Sequence, residues 1–315
     1  MPTSLTLAEA GVLSQDMLVA GVIKEFITTD QFAAVLPFVP ADGKALVYNR
    51  ELTDPQTTVG FLDINGTVVA SQATYTQITA PLGRLAGDAE VDGFEDITQS
   101  NVNDQRANAI ASKAKGIGRQ FRASVIVGTG TFPQFSGINT LVDSANQFVN
   151  ASSTTSGASL SFALLDELMD KVTAEGSQFF FIMEKKLRRK LKALYRALGG
   201  TQIPTVEMGW LNPLTGQRET MNIMSYEGVP VFRNDNILNE STFGATAKQR
   251  VTFGLLGEKV GLTGIMPFDN DPGIRIDEVG FSETKDARID RVKMYTGLAL
   301  WSTKALAQLT NVATN

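Results

Sequence analysis

The sequence predicts an α+β protein organised around one long helix. Three observations carry this. Residues 96–128 hold an apolar stripe at helical spacing, residues 57–71 hold an Asn-Gly hairpin signal, and the last third is rich in runs of strand length. In the helix, Ile110, Ala114, Ile117, Phe121 and Val125 fall at steps of four, three, four and four, which places them on one side. Arg106, Asn108, Lys113, Lys115 and Arg119 take the other side, so only one side seeks a core. At about 1.5 Å per residue such a helix would run ~45–50 Å.

Composition removes several classes of function. The 315 residues carry a formal charge of −5, with 43% hydrophobic and 19% charged residues, an ordinary balance for a folded protein and a poor one for general nucleic-acid affinity. No Cys is present, which excludes disulfides, thiol catalysis and thiolate metal sites. No His is present either, which removes Ser-His-Asp triads, HExxH zinc sites and imidazole acid/base chemistry. An enzyme would have to use carboxylates, Lys, Tyr or backbone groups, and no residue is assigned to catalysis, to a metal or to a cofactor. The first twenty residues lack Lys and Arg, so no signal peptide is visible, and no apolar run approaches the ~20 residues of a membrane span. Folding in a cytosol, away from membranes, is the expectation.

In chain order, residues 1–36 include Met17, Leu18, Val22, Ile23, Phe26 and Ile27, enough for one short amphipathic helix and too few for a core; an arm lying on something else is expected. KALVYNRE (44–51) alternates like a strand. Around Asn65-Gly66, Val59, Phe61 and Ile64 precede the turn and Val68 and Val69 follow it, the pattern of a type I′ hairpin. A lone hairpin is marginal in water, so this one should rest on a neighbouring element or a neighbouring subunit. Phe61, Ile64, Asn65, Gly66 and Val68 are its candidate interface residues. Residues 75–90 return extended into the long helix. Within that helix Gly116 and Gly118 each cost roughly 1 kcal/mol relative to Ala, and two accounts stand: close packing against a strand, or a bend point. Gly128-x-Gly130 at its end reads as a helix terminator, because a phosphate-cradling loop precedes a helix and this one follows it.

Residues 144–161, rich in Ser, Thr, Ala, Asn and Gly, read as a surface loop. Residues 162–173 are helical, and FFFIM (179–183) suits a strand buried on both faces. The next helix turns Leu187, Leu191, Leu194 and Leu198 inward and stops at Gly199-Gly200. It also holds the densest charge in the chain, with Lys185, Arg188, Arg189 and Lys192 as its basic face. A solvated outer face is the plain account; contact with acidic surfaces of neighbouring copies, or with nucleic acid, are the functional ones. A second hairpin spans 205–223, further strands cover 228–232 and 250–256, and Asp269-Asn270-Asp271-Pro272-Gly273 reads as a turn, since it lacks the ligand spacing of an EF-hand. Residues 274–281 and 290–301 are long extended segments.

This order of parts resembles the major capsid proteins of tailed bacteriophages with the Hong Kong-97-type fold. VIVGTGTFPQFSGI (125–138) resembles the family's helix exit, FIMEKKLRRKLKAL (181–194) its axial strand and helix, EGVPVFRNDNI (227–237) its G-x-P-V strand, and RIDRVKMYTGLALWSTKALAQL (288–309) its closing strand and tail. The resemblance implies an N-terminal arm at 1–43, an extended loop and first peripheral strands at 44–90, a spine helix at 91–133, an axial domain at 134–272, and closing peripheral strands with the tail at 273–315. It further implies a homo-oligomer of pentamers and hexamers closing an icosahedral shell around double-stranded DNA. Assembly would take place in the host cytoplasm, with a portal and a possible decoration protein; where family members often carry a charged, helical scaffolding segment, the arm here begins almost at Met1, so a separate scaffolding protein or a different assembly route is expected. Some members lock the shell with a Lys on the loop; residues 45–112 here contain none, so the resemblance implies non-covalent locking. An encapsulin-type compartment, a carboxylate-dependent enzyme and a nucleic-acid module using 185–196 are the alternatives.

Overall fold

The fold was analysed in a computed structural model, which describes residues 32, 35–53, 59–68, 70, 72–99, 105–154, 157–199, 203–211, 218–235, 248–267 and 275–314. In chain order the elements are β1 (Phe38–Ala41), β2 (Ala45–Thr53), β3 (Thr74–Pro81), β4 (Gly83–Asp92), α1 (Gly93–Gln99), α2 (Gln105–Val127) and α3 (Ile138–Leu141). Then come β5 (Phe148–Asn150), β6 (Ala158–Ser159), α4 (Phe162–Asp170), β7 (Phe179–Met183), α5 (Lys185–Ala197), β8 (Thr205–Leu211), β9 (Arg218–Tyr226) and β10 (Val229–Arg233). The chain closes with β11 (Lys248–Leu255), β12 (Leu262–Pro267), β13 (Arg275–Phe281), β14 (Ala287–Leu300) and β15 (Leu306–Ala313).

Three sheets result. One runs β1-β12-β14-β13, with β4 also paired along β14; a second runs β5-β15-β11-β7-β10-β9-β8, with β6 also on β15; the third is the β2-β3 ribbon. β7 shows why FFFIM is continuously apolar. Successive side chains of a strand point to opposite faces, so Phe180 and Ile182 enter one core while Phe181 and Met183 enter another. The first core lies beneath α2, whose Ile117, Phe121 and Val125 are buried in it, with Ile110 and Ala114 packed at its margin. The second lies on the other side of the larger sheet, beneath Leu165 and Leu168 of α4 and Leu187 and Leu191 of α5. A third, small core of Ala41, Tyr48, Ala80, Ile265 and Ala299 sits under the root of the β2-β3 ribbon.

Several expectations are corrected. The helix expected over 96–128 is described as α1 and α2 on either side of 100–104, and the 23 residues of α2 alone make a rod of about 34 Å. Its exit is closed by glycine, though the left-handed residue is Gly130 (φ 74°) rather than Gly128. Gly128 serves close approach: Gly137 N–H donates to its carbonyl at 2.9 Å, and a Cβ on Gly128 would lie 2.4 Å from the Phe135 carbonyl oxygen. The expected surface loop 144–161 contributes β5 and β6, both parallel to β15. Leu198 is exposed, because α5 ends one residue before it.

Three strands also leave the groups expected from sequence order. β1, from the arm, and β12, from the expected axial region, pair with each other in the five-stranded sheet. β15, expected among the closing peripheral strands, pairs with β11 in the larger sheet. Each is a long-range pairing, which spacing within a segment cannot encode. Of the arm, only Phe32 and residues from 35 onward are described; Phe32 is buried against Phe180 and Phe232, with ring centroids 5.0 and 5.7 Å away. The helix expected over 17–27 and the turns expected at 212–216 and 269–273 lie outside the described residues.

Candidate assembly surface

The site residues named from sequence fall on three separate elements, which form no single pocket. The first is the loop carried at the far end of the β2-β3 ribbon. The anticipated type I′ hairpin is absent among its described residues 59–68: no strand is formed there. The turn sits one residue early, with Gly66 N–H donating to the Asp63 carbonyl at 2.8 Å and Asn65 alone at positive φ, 68°. That is the type II pattern. Asp63 favours it by accepting from the Ile64 N–H at 2.7 Å. Without cross-strand partners to bury their side chains, the flanks have no reason to pair. Phe61 is fully exposed, Ile64 is 91% exposed, and Val59, Leu62 and Val68 are also open to solvent.

The apolar tip has a rigid root, which sequence reasoning missed. Tyr48 Oη donates to the Leu300 carbonyl at 2.6 Å, and its ring packs on Trp301 with centroids 4.6 Å apart. Arg50, two residues on and so on the same face of β2, donates from Nε to the Trp301 carbonyl at 3.0 Å and from Nη2 to the Leu300 carbonyl. Burial pushes the Tyr48 phenol up, keeping it a donor. The signal in the sequence was Tyr and Arg alternating on one strand face; the receiving end of β14 lies some 250 residues away.

The second element is α2. A Cβ built on Gly116 or Gly118 meets nothing within 4 Å, so the close-packing account of these glycines fails. The helix is tied to β14 instead by Arg106, whose Nε and Nη2 each donate to Asp290 at 2.7 Å. These bonds hold the Asp290 carboxyl below the ordinary carboxylate range although burial opposes them. A ladder of further pairs crosses the sheet, including Arg291 with Asp88 (2.7 and 2.8 Å), Lys285 with Glu90 (3.1 Å), Arg288 with Glu278 and Lys293 with Asp277. An open cleft of about 440 Å³ along β4, lined by Arg84, Asp88, Lys113 and Arg291, contains a single carboxylate, so it offers no pair for acid/base chemistry.

The third element is α5. Lys185 and Arg189 are exposed and Lys192 is half-buried on the outer side, but Arg188 departs from the expected face. It turns inward toward Arg233 and Asp235; its Nε is buried without a hydrogen-bond partner, and burial pulls its pKa down. Among the described residues no cluster of three or more acidic, His or Cys side chains could hold a metal ion, and no helix is long and apolar enough to cross a membrane.

No protein-family model matches the sequence, and no curated protein matches it. Solved structures do. The chain is similar to the SrpI encapsulin of Synechococcus elongatus PCC 7942, at 18% identity over 99% of this chain and 98% of that one, with a TM-score of 0.70. It is similar to the capsid of the native GTA particle at 17% identity over 98% and 100% of the two chains, with a TM-score of 0.60. Mycobacterium phage Bobi gives 11% identity over 98% and 99%, also with a TM-score of 0.60. The chain therefore has the Hong Kong-97-type capsid fold.

Proposed function

We propose that the chain is the repeating subunit of a closed icosahedral shell: the major capsid protein of a tailed bacteriophage, built from pentamers and hexamers around double-stranded DNA. The observation that carries this is an apolar loop tip on a rigid root. Phe61, Ile64 and Val68 are exposed at the end of a ribbon anchored by Tyr48 and Arg50, an arrangement that costs solubility in a monomer and gains a contact in an assembly. Fold and full-length coverage of capsid structures support it. Under this reading the protein is a structural component of the virion, assembled in the host cytoplasm with a scaffolding protein, a portal and a decoration protein as partners, and it has no catalytic role.

A second reading is favoured by one observation: the TM-score of 0.70 with the SrpI encapsulin exceeds the 0.60 with the GTA and Bobi capsids. On it the shell would enclose a protein cargo. Electron microscopy of the expressed chain tests the shared claim, since closed shells are expected and a monodisperse monomer refutes it. Nuclease-protected DNA inside virion-derived particles would select the phage reading; a co-purifying enzyme inside them would select the compartment. Replacing Asn65-Gly66 with Val-Val is expected to block assembly and leave the subunit folded.

A further inference from the structure

α5 and α4 are neighbouring helices with opposite and unmixed charge. The 13 residues of α5 contain seven cations and no carboxylate, while the nine residues of α4 contain Asp166, Glu167 and Asp170 and no cation. The contrast is sharp against the rest of the chain, where 21 cations stand with 30 carboxylates. Both helices lie on one face of the larger sheet and share its core, with Phe162 of α4 and Tyr195 of α5 5.4 Å apart between ring centroids.

The cations of α5 are ordered. Lys185, Arg189, Lys192 and Arg196 are spaced four, three and four apart, which lines them up as one ridge on the side opposite Leu187 and Leu191. At 1.5 Å per residue the ridge is about 16 Å long. None of the four makes an ion pair among the described residues, and Arg188 and Lys190, off this line, turn to other work: Arg188 goes inward and Lys190 donates to the Ala313 carbonyl at 3.0 Å. Glu167 and Asp170 of α4 are likewise exposed and without ion pairs there. A single copy thus leaves a basic ridge and an acidic face that form no ion pairs with each other among the described residues.

We propose that the α5 ridge docks against the acidic α4 face of a second copy of this chain, a head-to-tail contact. Two different patches meet, so each copy can both give and receive, and repetition of the contact closes a ring if its rotation closes. This deepens the shell reading and names the surface that would join neighbours within one ring. Complementary charge of this kind sets partner, register and rate of encounter more than it adds raw affinity, and it weakens as salt screens it.

The test uses the full chain in three variants: Arg189→Glu with Lys192→Glu, Glu167→Lys with Asp170→Lys, and all four together. Self-association is read by analytical ultracentrifugation at low salt and at about 1 M salt, where the Debye length falls to ~3 Å, with shells counted by electron microscopy. Wild type should associate at low salt and at least about tenfold less tightly at high salt. Each pairwise reversal should weaken low-salt association at least about tenfold, since it sets like charges opposite one another. The fourfold swap should restore it, which also shows that the reversed faces still fold. Failure of the swap to rescue, or association indifferent to all variants and to salt, overturns the proposal. So does an Arg189→Glu, Lys192→Glu variant that builds normal shells and loses only duplex DNA, because the ridge would then face nucleic acid. Charge-dependent rings without shells would keep the contact and sink the shell reading; shells indifferent to the reversals would do the opposite.

Discussion

The Arg106–Asp290 pair is a two-pronged ionic link between α2 and β14, and its removal should be strongly asymmetric. Asp290 is 3% exposed and both its oxygens are bound by Arg106, whereas Arg106 is 29% exposed and also lies 3.6 Å from Glu278. Arg106→Leu therefore leaves a buried carboxylate with no bonded cation and only the charge of Arg288 to oppose its burial, which costs about 3–5 kcal/mol. Asp290→Leu leaves a guanidinium that still reaches Glu278 and water, at about 1–2 kcal/mol. The double replacement removes both charges and should recover to within about 1 kcal/mol of wild type. Urea denaturation of the purified subunit measures all three. The pH dependence has a definite sign. In wild type the folded pKa of Asp290 is lowered, so its contribution is fully present above the unfolded value of ~3.9 and is lost as pH falls through the lower folded value. In Arg106→Leu the bonds that lower it are gone, and burial, opposed only by the charge of Arg288, should raise the folded pKa, so the penalty is relieved as pH falls. The gap between the two should narrow steadily from about pH 7 to pH 4. Equal costs for the single variants, or a gap indifferent to pH, would refute the assignment.

Other outcomes follow from the same geometry. Gly116→Ala with Gly118→Ala should raise the subunit's stability by up to about 2 kcal/mol, since each added Cβ meets open space; if shells expand during maturation the variant should expand more slowly, and normal expansion rates would rule out a bend point. Phe180→Ala should cost about 3–5 kcal/mol by thermal or urea melting, because the ring is fully buried between α2's core and Phe32. Phe61→Asp with Ile64→Asp should abolish assembly while leaving the subunit's melting temperature unchanged, as both side chains are exposed. Particles boiled in detergent should run as one band near 33.9 kDa, for no Lys lies within 45–112 to bond covalently to a neighbour.

Local patterns were legible in the sequence wherever a segment's own period decided the outcome. The stripe of α2, the two-faced FFFIM of β7 and the leucine line of α5 as far as Leu194 each face where their spacing placed them. What spacing could not give was pairing at a distance: nothing near 306–313 says that β15 lies beside β11. The Asn-Gly turn slipped because a type I′ hairpin draws its stability from its strands, and here Asp63 offers the backbone a competing local bond. Arg188 was misplaced because it sits at the margin between the leucine line and the outer ridge of α5, where neighbouring strands decide its direction. The loop tip could be read as exposed from its lack of complementary apolar sequence, but its root on Trp301 joins segments too far apart for any motif to show.

That root has a mechanical meaning. Leu300 and Trp301 are the receiving carbonyls for Tyr48 and Arg50, and they are also the point where β14 leaves one sheet and the chain crosses, through a single 3-10 turn at Thr303–Ala305, into β15 of the other. The lever arm of the loop and the joint between the two sheets thus share one fulcrum. Whatever holds the ribbon in place is therefore held by the same two residues that end β14.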